Sequence, residues 1–164
     1  MEPGSLRPLA PPHLDAAEAL LDELLAGRLQ SRLGQRQDVL ALPGAGAWER
    51  DRLIGLVTWG KADGHGRAEL AALAVAASHQ GQGWGGTLVE VAAETARVTG
   101  AAVQWLVTTN DNLDALRLYQ RHGYRMVALR AGAVDASRRT KPTIPATGHY
   151  GIPLRDELIL ERRL

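Results

Sequence analysis

The chain has no cysteine in its 164 residues. Disulfides, thiolate nucleophiles and Cys-containing zinc sites are therefore excluded. Phenylalanine is also missing, so leucine, valine, alanine and four tryptophans must build the core. Lysine occurs only at Lys61 and Lys141, and arginine supplies the other cations. No run of about 18 apolar residues could span a membrane. The start, Met1-Glu2-Pro3-Gly4-Ser5, lacks the basic residues and apolar centre of a signal peptide. A cytoplasmic protein with no membrane partner is expected. A net charge of +1 makes no broad electrostatic case for nucleic acid. The histidines (His13, His65, His79, His122, His149) are scattered and form no H-E-x-x-H pair, so no metal site is expected. No G-x-S-x-G elbow is present either.

What remains is a chain long enough for one domain with a real core. It shows no linker and no internal repeat, so residues 1–164 are read as a single domain. Leu6–Ala10 fits a short edge strand, where Pro8 is tolerated. Pro11-Pro12 marks a helix start, and Leu14, Ala17, Leu21, Leu24 and Leu25 recur at helical spacing. With Gly27 and Gly34 as punctuation, one broken helix or two short ones are expected up to Arg36. Asp38–Leu42 reads as a strand stopped by Pro43-Gly44-Ala45-Gly46, with Trp48 in the same strand or its continuation. Leu53–Trp59 and Arg67–Val75 follow as strands across short polar turns, which predicts an antiparallel meander.

The densest signal is Ser78–Thr87, in which four of ten residues are glycine. An apolar strand, Leu70–Val75, precedes it. An amphipathic helix follows, with Trp84, Leu88, Val91, Thr95 and Val98 on one face and Gly100 at its end. Glycine admits φ > 0 and close approach of a ligand. The first turn of a helix offers unpaired N–H groups and a dipole that favours anions. Strand, glycine loop and helix together make a phosphate site. A Walker loop is rejected, because Thr87 stands where lysine must be. Gly81, Gly83 and Gly86 match the dinucleotide fingerprint G-x-G-x-x-G. However, Ala76–Gln80 separate them from the strand, and no acid follows before Asp111.

A third pattern, Q/R-x-x-G-x-G/A, fits Gln80-Gly81-Gln82-Gly83-Trp84-Gly85. Downstream, Ala101–Thr108 reads as a strand and Asn110–His122 as a helix that Gly123 ends. That helix carries Asn112-x-x-Ala115-x-x-Leu118-Tyr119-x-x-x-Gly123-Tyr124. The two motifs, in this order and spacing, resemble those of the GNAT superfamily of acetyl-CoA-dependent N-acetyltransferases. The tight match covers residues 66 to 129, and the N-terminal third agrees in element order only.

The resemblance implies an α/β fold: a mixed, largely antiparallel sheet, splayed at the cofactor site and flanked by helices. It implies acetyl-CoA as cosubstrate. Pantetheine would hydrogen-bond the main chain at Leu73, Ala74 and Val75. The loop Gln80, Gly81, Gln82, Gly83, Trp84, Gly85 and Gly86 would hold the pyrophosphate, and Asn112 would reach the cofactor arm. The implied activity is acetyl transfer to a primary amine of a small molecule or peptide. A non-catalytic acyl-CoA sensor of the same fold and a dinucleotide-binding protein are the competing readings. A second copy of the chain is a candidate partner.

The chemistry asks for a base, an oxyanion donor and an acid. Without cysteine no cysteinyl acyl-enzyme can form, so direct transfer in a ternary complex is expected. A backbone N–H near Val75 suits the oxyanion. Tyr119 suits protonation of the leaving thiolate. Glu69 stands eleven residues before Gln80, the offset at which some members of the superfamily carry a glutamate base. Finally, 130–154 is long and rich in proline and glycine, and Asp156–Arg162 reads as the last strand. Loops of that length are usually functional or disordered. In the fold that the resemblance implies, the connection before the last strand borders the acceptor site, so Arg130 to Arg155 is expected to form one wall of the acceptor pocket, and its basic Arg138, Arg139, Lys141 and Arg155 would suit an acceptor with a carboxylate or phosphate beside the amine.

Overall fold

The structure is a computed structural model that describes residues 4–164. The expectation that Met1-Glu2-Pro3 starts no signal peptide falls on residues outside those described. The elements are β1 (Ser5–Pro8), α1 (Leu14–Leu25), β2 (Leu29–Arg32), β3 (Gln35–Asp38), β4 (Gly44–Glu49), β5 (Arg52–Trp59), β6 (Arg67–Val75), α2 (Trp84–Val98), β7 (Val103–Thr109), α3 (Leu113–Arg121), β8 (Arg125–Arg130), α4 (Ala133–Thr140) and β9 (Glu157–Arg163). One sheet runs in the order β1-β4-β5-β6-β7-β9-β8, and β2 and β3 form a separate hairpin. Only β6 and β7 pair in parallel, as the α2 crossover between them requires. Every other pairing is antiparallel. The mixed, largely antiparallel α/β sheet is as expected, and a doubly wound parallel sheet is excluded. Among the described residues no helix is long and apolar enough to cross a membrane.

The sheet has an apolar layer on each face. On one face α2 and α3 pack Leu88, Val89, Ala92 and Leu116 against Ile54, Val57, Leu70, Leu106 and Leu160. On the other, α1 packs Ala17, Leu20 and Leu21 against Trp48, Leu53, Leu56, Ala72 and Ala74. β6 is thus covered on both sides, which explains its nearly continuous apolar run.

The decisive feature is where β6 leaves β7. They pair only from Arg67↔Val103 to Glu69↔Trp105. Beyond that rung β6 stays with β5, through Leu73↔Val57 and Val75↔Gly55. β7 stays with β9 as far as Thr109↔Glu157. Just past the fork the β5–β6 register slips from Thr58↔Ala72 to Trp59↔Leu70, leaving Ala71 as a bulge. A V-shaped gap therefore opens between Leu70–Val75 and the end of β7.

Four sequence expectations are corrected. The stretch after α1 is not more helix but the β2–β3 hairpin. Leu33 and Gly34 turn it with φ of 51° and 74°, the left-handed pair of a type I′ turn. The strand expected at Asp38–Leu42 is instead the end of β3 and a helical turn over Val39–Ala41, with Asp38 Oδ1 accepting from Leu40 N. The strand lies in Gly44–Glu49, across the residues read as a stop. A Cβ on Gly44 would stand 2.5 Å from Val57 O, and one on Gly46 would stand 2.7 Å from Leu53 Cδ1. Glycine here serves close packing, not a turn. On α2 the buried stripe is Leu88, Val89, Ala92, Ala93 and Ala96, while Val98 is 71% exposed. Small alanines let the helix lie close to the sheet, so its contact face keeps Leu88, with Trp84 and Val91 at its margin, but is widened by Ala92, Ala93 and Ala96 and leaves Val98 out.

Leu88 is fully buried between α2 and β5. Leu88→Ala is predicted to cost about 2–5 kcal/mol through the cavity it leaves. Urea denaturation should show a lower midpoint with an unchanged slope.

Candidate active site

The glycine loop is built as a brace around the end of β6. After Val75 the chain makes one helical turn over Ala77–His79 and then extends at Gln80. Gln80 Nε2 donates to Val75 O at 2.9 Å, and Gln82 Nε2 donates to Ser78 O at 3.0 Å. Gln80 thus ties the loop to the end of β6, and Gln82 ties the loop to itself. Gly81 and Gly83 take φ of 76° and 91°, where a side chain is strained. Gly83 then caps α2, and no side chain bonds the helix start. The first-turn N–H groups of α2 have no intrahelical partner. A glycine-lined helix start with no side-chain cap, facing a cleft, suits an anion.

That cleft measures about 1510 Å³. Gly81, Gly83, Gly85 and Gly86 form one end, and Leu73 and Val75 of β6 face Asn112, Ala115 and Leu118 across it. Leu24 and Leu25 of α1 and His149 also line it. α1 covers the sheet face opposite α2 and α3. The cleft therefore passes through the sheet at the fork. Within it, β6 from Leu70 to Val75 has lost its β7 partner, about 17 Å of strand edge at the usual rise.

The structure brings Leu73, Val75, Gln80, Gly81, Gly83, Gly85, Gly86 and Asn112 together on this wall. Asn112 precedes α3 and donates from Nδ2 to Thr108 Oγ1 at 3.3 Å. Ala74, Gln82 and Trp84 do not line it. The Ala74 side chain is buried on the α1 face, and Trp84 packs against the α2-face cluster and Gly4. Tyr119 is 6% exposed, with its ring edge-on to Tyr124 at 5.6 Å. Burial pushes its phenol pKa up and keeps it protonated. Glu69 sits at the last paired rung before the fork. Ala68 packs with Ala96 of α2, so Glu69 points to the opposite face. There its carboxylate is held by both Nε and Nη2 of Arg32.

Several residues on the wall carry no motif. His122 Nδ1 lies 2.9 Å from Glu90 Oε1, and Glu90 is gripped by Arg162 at 2.8 and 3.0 Å. The hydrogen bonds from Arg162 first, and from His122, hold the Glu90 carboxyl below its usual range. A Cβ on Gly86 would stand 2.7 Å from His122 Nε2, so glycine there admits the imidazole. The neighbouring Gly123 was the only sequence cue to His122.

The long connection before β9 is ordered. It contains α4 and is bolted to the start of α3. Buried Asp111 accepts from His149 N at 2.8 Å. Asn110 donates to Pro153 O at 2.8 Å and accepts from Arg155 N and Asp156 N. One basic residue is reassigned: Arg138 does not face an acceptor. Its guanidinium donates to Ile144 O, Pro145 O and Leu154 O, and to Asp135. Lys141 Nζ donates to Leu29 O on the hairpin at 3.3 Å. His149 does reach the cleft. Among the described residues no cluster of metal-ligating side chains occurs.

Comparison with known proteins agrees with this geometry. A family profile described as "Acetyltransferase (GNAT) family" matches residues 13–124. An uncharacterized Bacillus subtilis protein, YxbD, is 42% identical over 85 residues, 52% of this chain and 54% of that protein. The chain spans about half the length of the curated relatives it matches. An IAA acetyltransferase from Bacillus cereus superposes with a TM-score of 0.77 at 21% identity, covering 99% of this chain and 100% of that one. A Bacillus subtilis acetyltransferase in complex with CoA superposes with a TM-score of 0.68 at 25% identity, over 98% and 97% of the two chains.

Gly148 gives a test of how the connection is docked. A Cβ there would stand 2.0 Å from Asp111 Oδ2. Gly148→Ala is predicted to loosen the segment, with an overpacking cost of about 1–3 kcal/mol. Limited trypsinolysis at Arg139 and Arg155 should become faster than in the parent protein.

Proposed function

The chain belongs to the GNAT acetyltransferase family, and on that premise we propose that it moves an acetyl group from acetyl-CoA to a primary amine of a small molecule or peptide by direct transfer in a ternary complex. The observation that carries this reading is the fork. It presents an unpaired strand edge that leads from a helix start with no side-chain cap to a carboxylate on the far face. Gly81–Gly86 would hold the pyrophosphate through main-chain N–H groups. The edge at Leu73–Val75 would pair with the pantetheine amides as with an added strand. That arm would run back along β6 towards the bulge at Ala71. The thioester would then sit near the fork, beside Glu69.

The amine would enter from the face of α1 and the β2–β3 hairpin. Its nitrogen lone pair attacks the thioester carbon, the C–S bond breaks, and the proton on nitrogen passes to the Glu69 carboxylate directly or through water. A main-chain N–H of β6 would meet the oxyanion. The departing thiolate takes a proton from the Tyr119 hydroxyl. Burial among apolar residues keeps the phenol protonated but moves its pKa away from that of a thiol, which weakens it as an acid, so the role rests on the motif position of Tyr119 and not on this shift.

Titration with acetyl-CoA and with NAD, then release of free CoA thiol with a panel of amines, tests the reading. Acetyl-CoA should bind, NAD should not, and thiol should appear with an amine. Binding without turnover on any amine would favour a sensor. Gly83→Val places a branched side chain at φ 91° and should abolish CoA binding with the fold retained; unchanged affinity would refute the phosphate loop. Tyr119→Phe should lower kcat by about 10²–10⁴ while acetyl-CoA affinity stays within about twofold. Wild-type turnover in that variant would reduce Tyr119 to packing.

A further inference from the structure

An alkyl amine ordinarily titrates at about pH 10, so near neutrality it reaches the protein as an ammonium ion. An ammonium has no lone pair with which to attack a thioester. One proton must leave before the C–N bond forms, and a second leaves after it. Glu69 takes the second in the reaction above. It does not line the cleft, and both its oxygens are bonded to Arg32, so it is not the group that meets an arriving ammonium.

The carboxylates and imidazoles on the cleft wall are Glu90, Glu94, Asp114, His122 and His149. Glu90 is gripped by Arg162 and bonded to His122. Glu94 accepts from Nε and Nη2 of Arg97. Asp114 accepts from the Tyr150 hydroxyl at 2.6 Å and lies 3.6 Å from Arg117. His122 is engaged through Nδ1, and its Nε2 lies against Gly86 at the phosphate end. The imidazole of His149 has no hydrogen-bond or ion-pair partner among the described residues.

Much of the connection before β9 serves to hold that residue. His149 N donates to Oδ2 of Asp111, which is 2% exposed and whose Oδ1 accepts from Thr109 Oγ1 at 2.5 Å. The loop closes on itself, with Gly148 N donating to Ile152 O at 2.8 Å and Ile152 N to His149 O at 3.0 Å. Tyr150 takes φ of 57°, which a non-glycine residue holds only where its surroundings over-determine it. The same connection reaches the β2–β3 hairpin through Lys141, on the face where the amine enters. His149 is exposed as well as lining the cleft, so it stands at the mouth, in reach of water.

We propose that His149 takes the first proton. Its neutral imidazole accepts H⁺ from the acceptor's ammonium group, which leaves a neutral amine whose lone pair attacks, and the imidazolium returns the proton to water at the mouth. This rests on the acetyltransferase reading and adds a catalytic residue to it. An imidazole ordinarily changes charge between about pH 5 and 8, so it can take up and release a proton near neutrality. The charged and titratable groups around it are Asp111, Asp114 and Arg117 from the start of α3 and Tyr150 of its own loop, while α1 brings only Leu24 and Leu25 to the cleft.

The test follows release of CoA thiol by the parent protein and by His149→Gln, with the best amine of the panel, from about pH 6 to about pH 10. Glutamine keeps the main-chain bond to Asp111, so the fold is retained. Near neutrality kcat/KM for the amine should fall by about 10²-fold. The deficit should close as the amine loses its proton in solution, at about pH 10. An aromatic amine or a hydrazide, uncharged near neutrality, should be used equally by both proteins, and the acetyl-CoA Kd should be unchanged. A deficit that stays constant to high pH, or that is as large for the uncharged amine, would reduce His149 to a contact and overturn the proposal. Parental rates in the variant near neutrality would overturn it too, and a raised acetyl-CoA Kd alone would move the residue to the cofactor. If the parent protein itself bound no acetyl-CoA, or released no thiol with any amine, the acetyltransferase reading would fall and the proposal with it.

Discussion

The rest of the molecule depends on the parting of β6 from β7. Main-chain N–H and C=O groups are obligatory hydrogen-bonding groups, and a strand edge inside a domain cannot be left without partners at no cost. Here β6 keeps its β5 partner to Val75 while β7 keeps its β9 partner to Thr109, and the two separate after Glu69↔Trp105. The bulge at Ala71 adds local twist at the place where the strands separate. The edge of β6 from Leu70 to Val75 is left without a strand partner on the β7 side. The gap also joins the two apolar layers, so one cleft can be reached from both faces.

Each end of that edge has its own chemistry because a different kind of structure closes it. At the wide end, the glycine loop turns β6 into α2, and the positive φ of Gly81 and Gly83 sets the helix start facing the cleft. At the narrow end, Glu69 stands on the last paired rung and is met by Arg32 from outside the main sheet. The wide end presents main-chain donors to an anion. The narrow end presents an ion pair to whatever arrives from the opposite face.

The wide end was legible in the sequence because it is contiguous. Gln80–Gly86 makes its own geometry, and Asn112–Tyr124 packs beside it one crossover later. The narrow end was not legible, because its parts come from distant segments whose local signals mislead. The β2–β3 hairpin turns on Leu33-Gly34, and leucine at a left-handed position gives no turn signal. β4 contains glycines that read as a stop, yet they are small because Val57 and Leu53 press against them. Arg138 looked like an anion site in a basic stretch, but three carbonyls surround it. The apolar face of α2 was read in part for a related reason: periodicity found Trp84, Leu88 and Val91 but not the alanines beside them, which close helix–sheet packing prefers.

This asymmetry has a physical origin. A phosphate loop works through main-chain N–H groups, so its requirements are conformational and fall on glycines at fixed intervals. An acceptor site works through side chains, and any segment that can reach the fork can supply them. In this chain the hairpin after α1 and the connection before β9 converge there, fastened by Leu33 to Glu157 and by Lys141 to Leu29. Replacing either segment would leave the glycine loop and the edge of β6 untouched. The two ends of the fork therefore answer to different constraints: the loop to backbone conformation, and the Arg32, Gln37 and Glu69 cluster to which segments reach it.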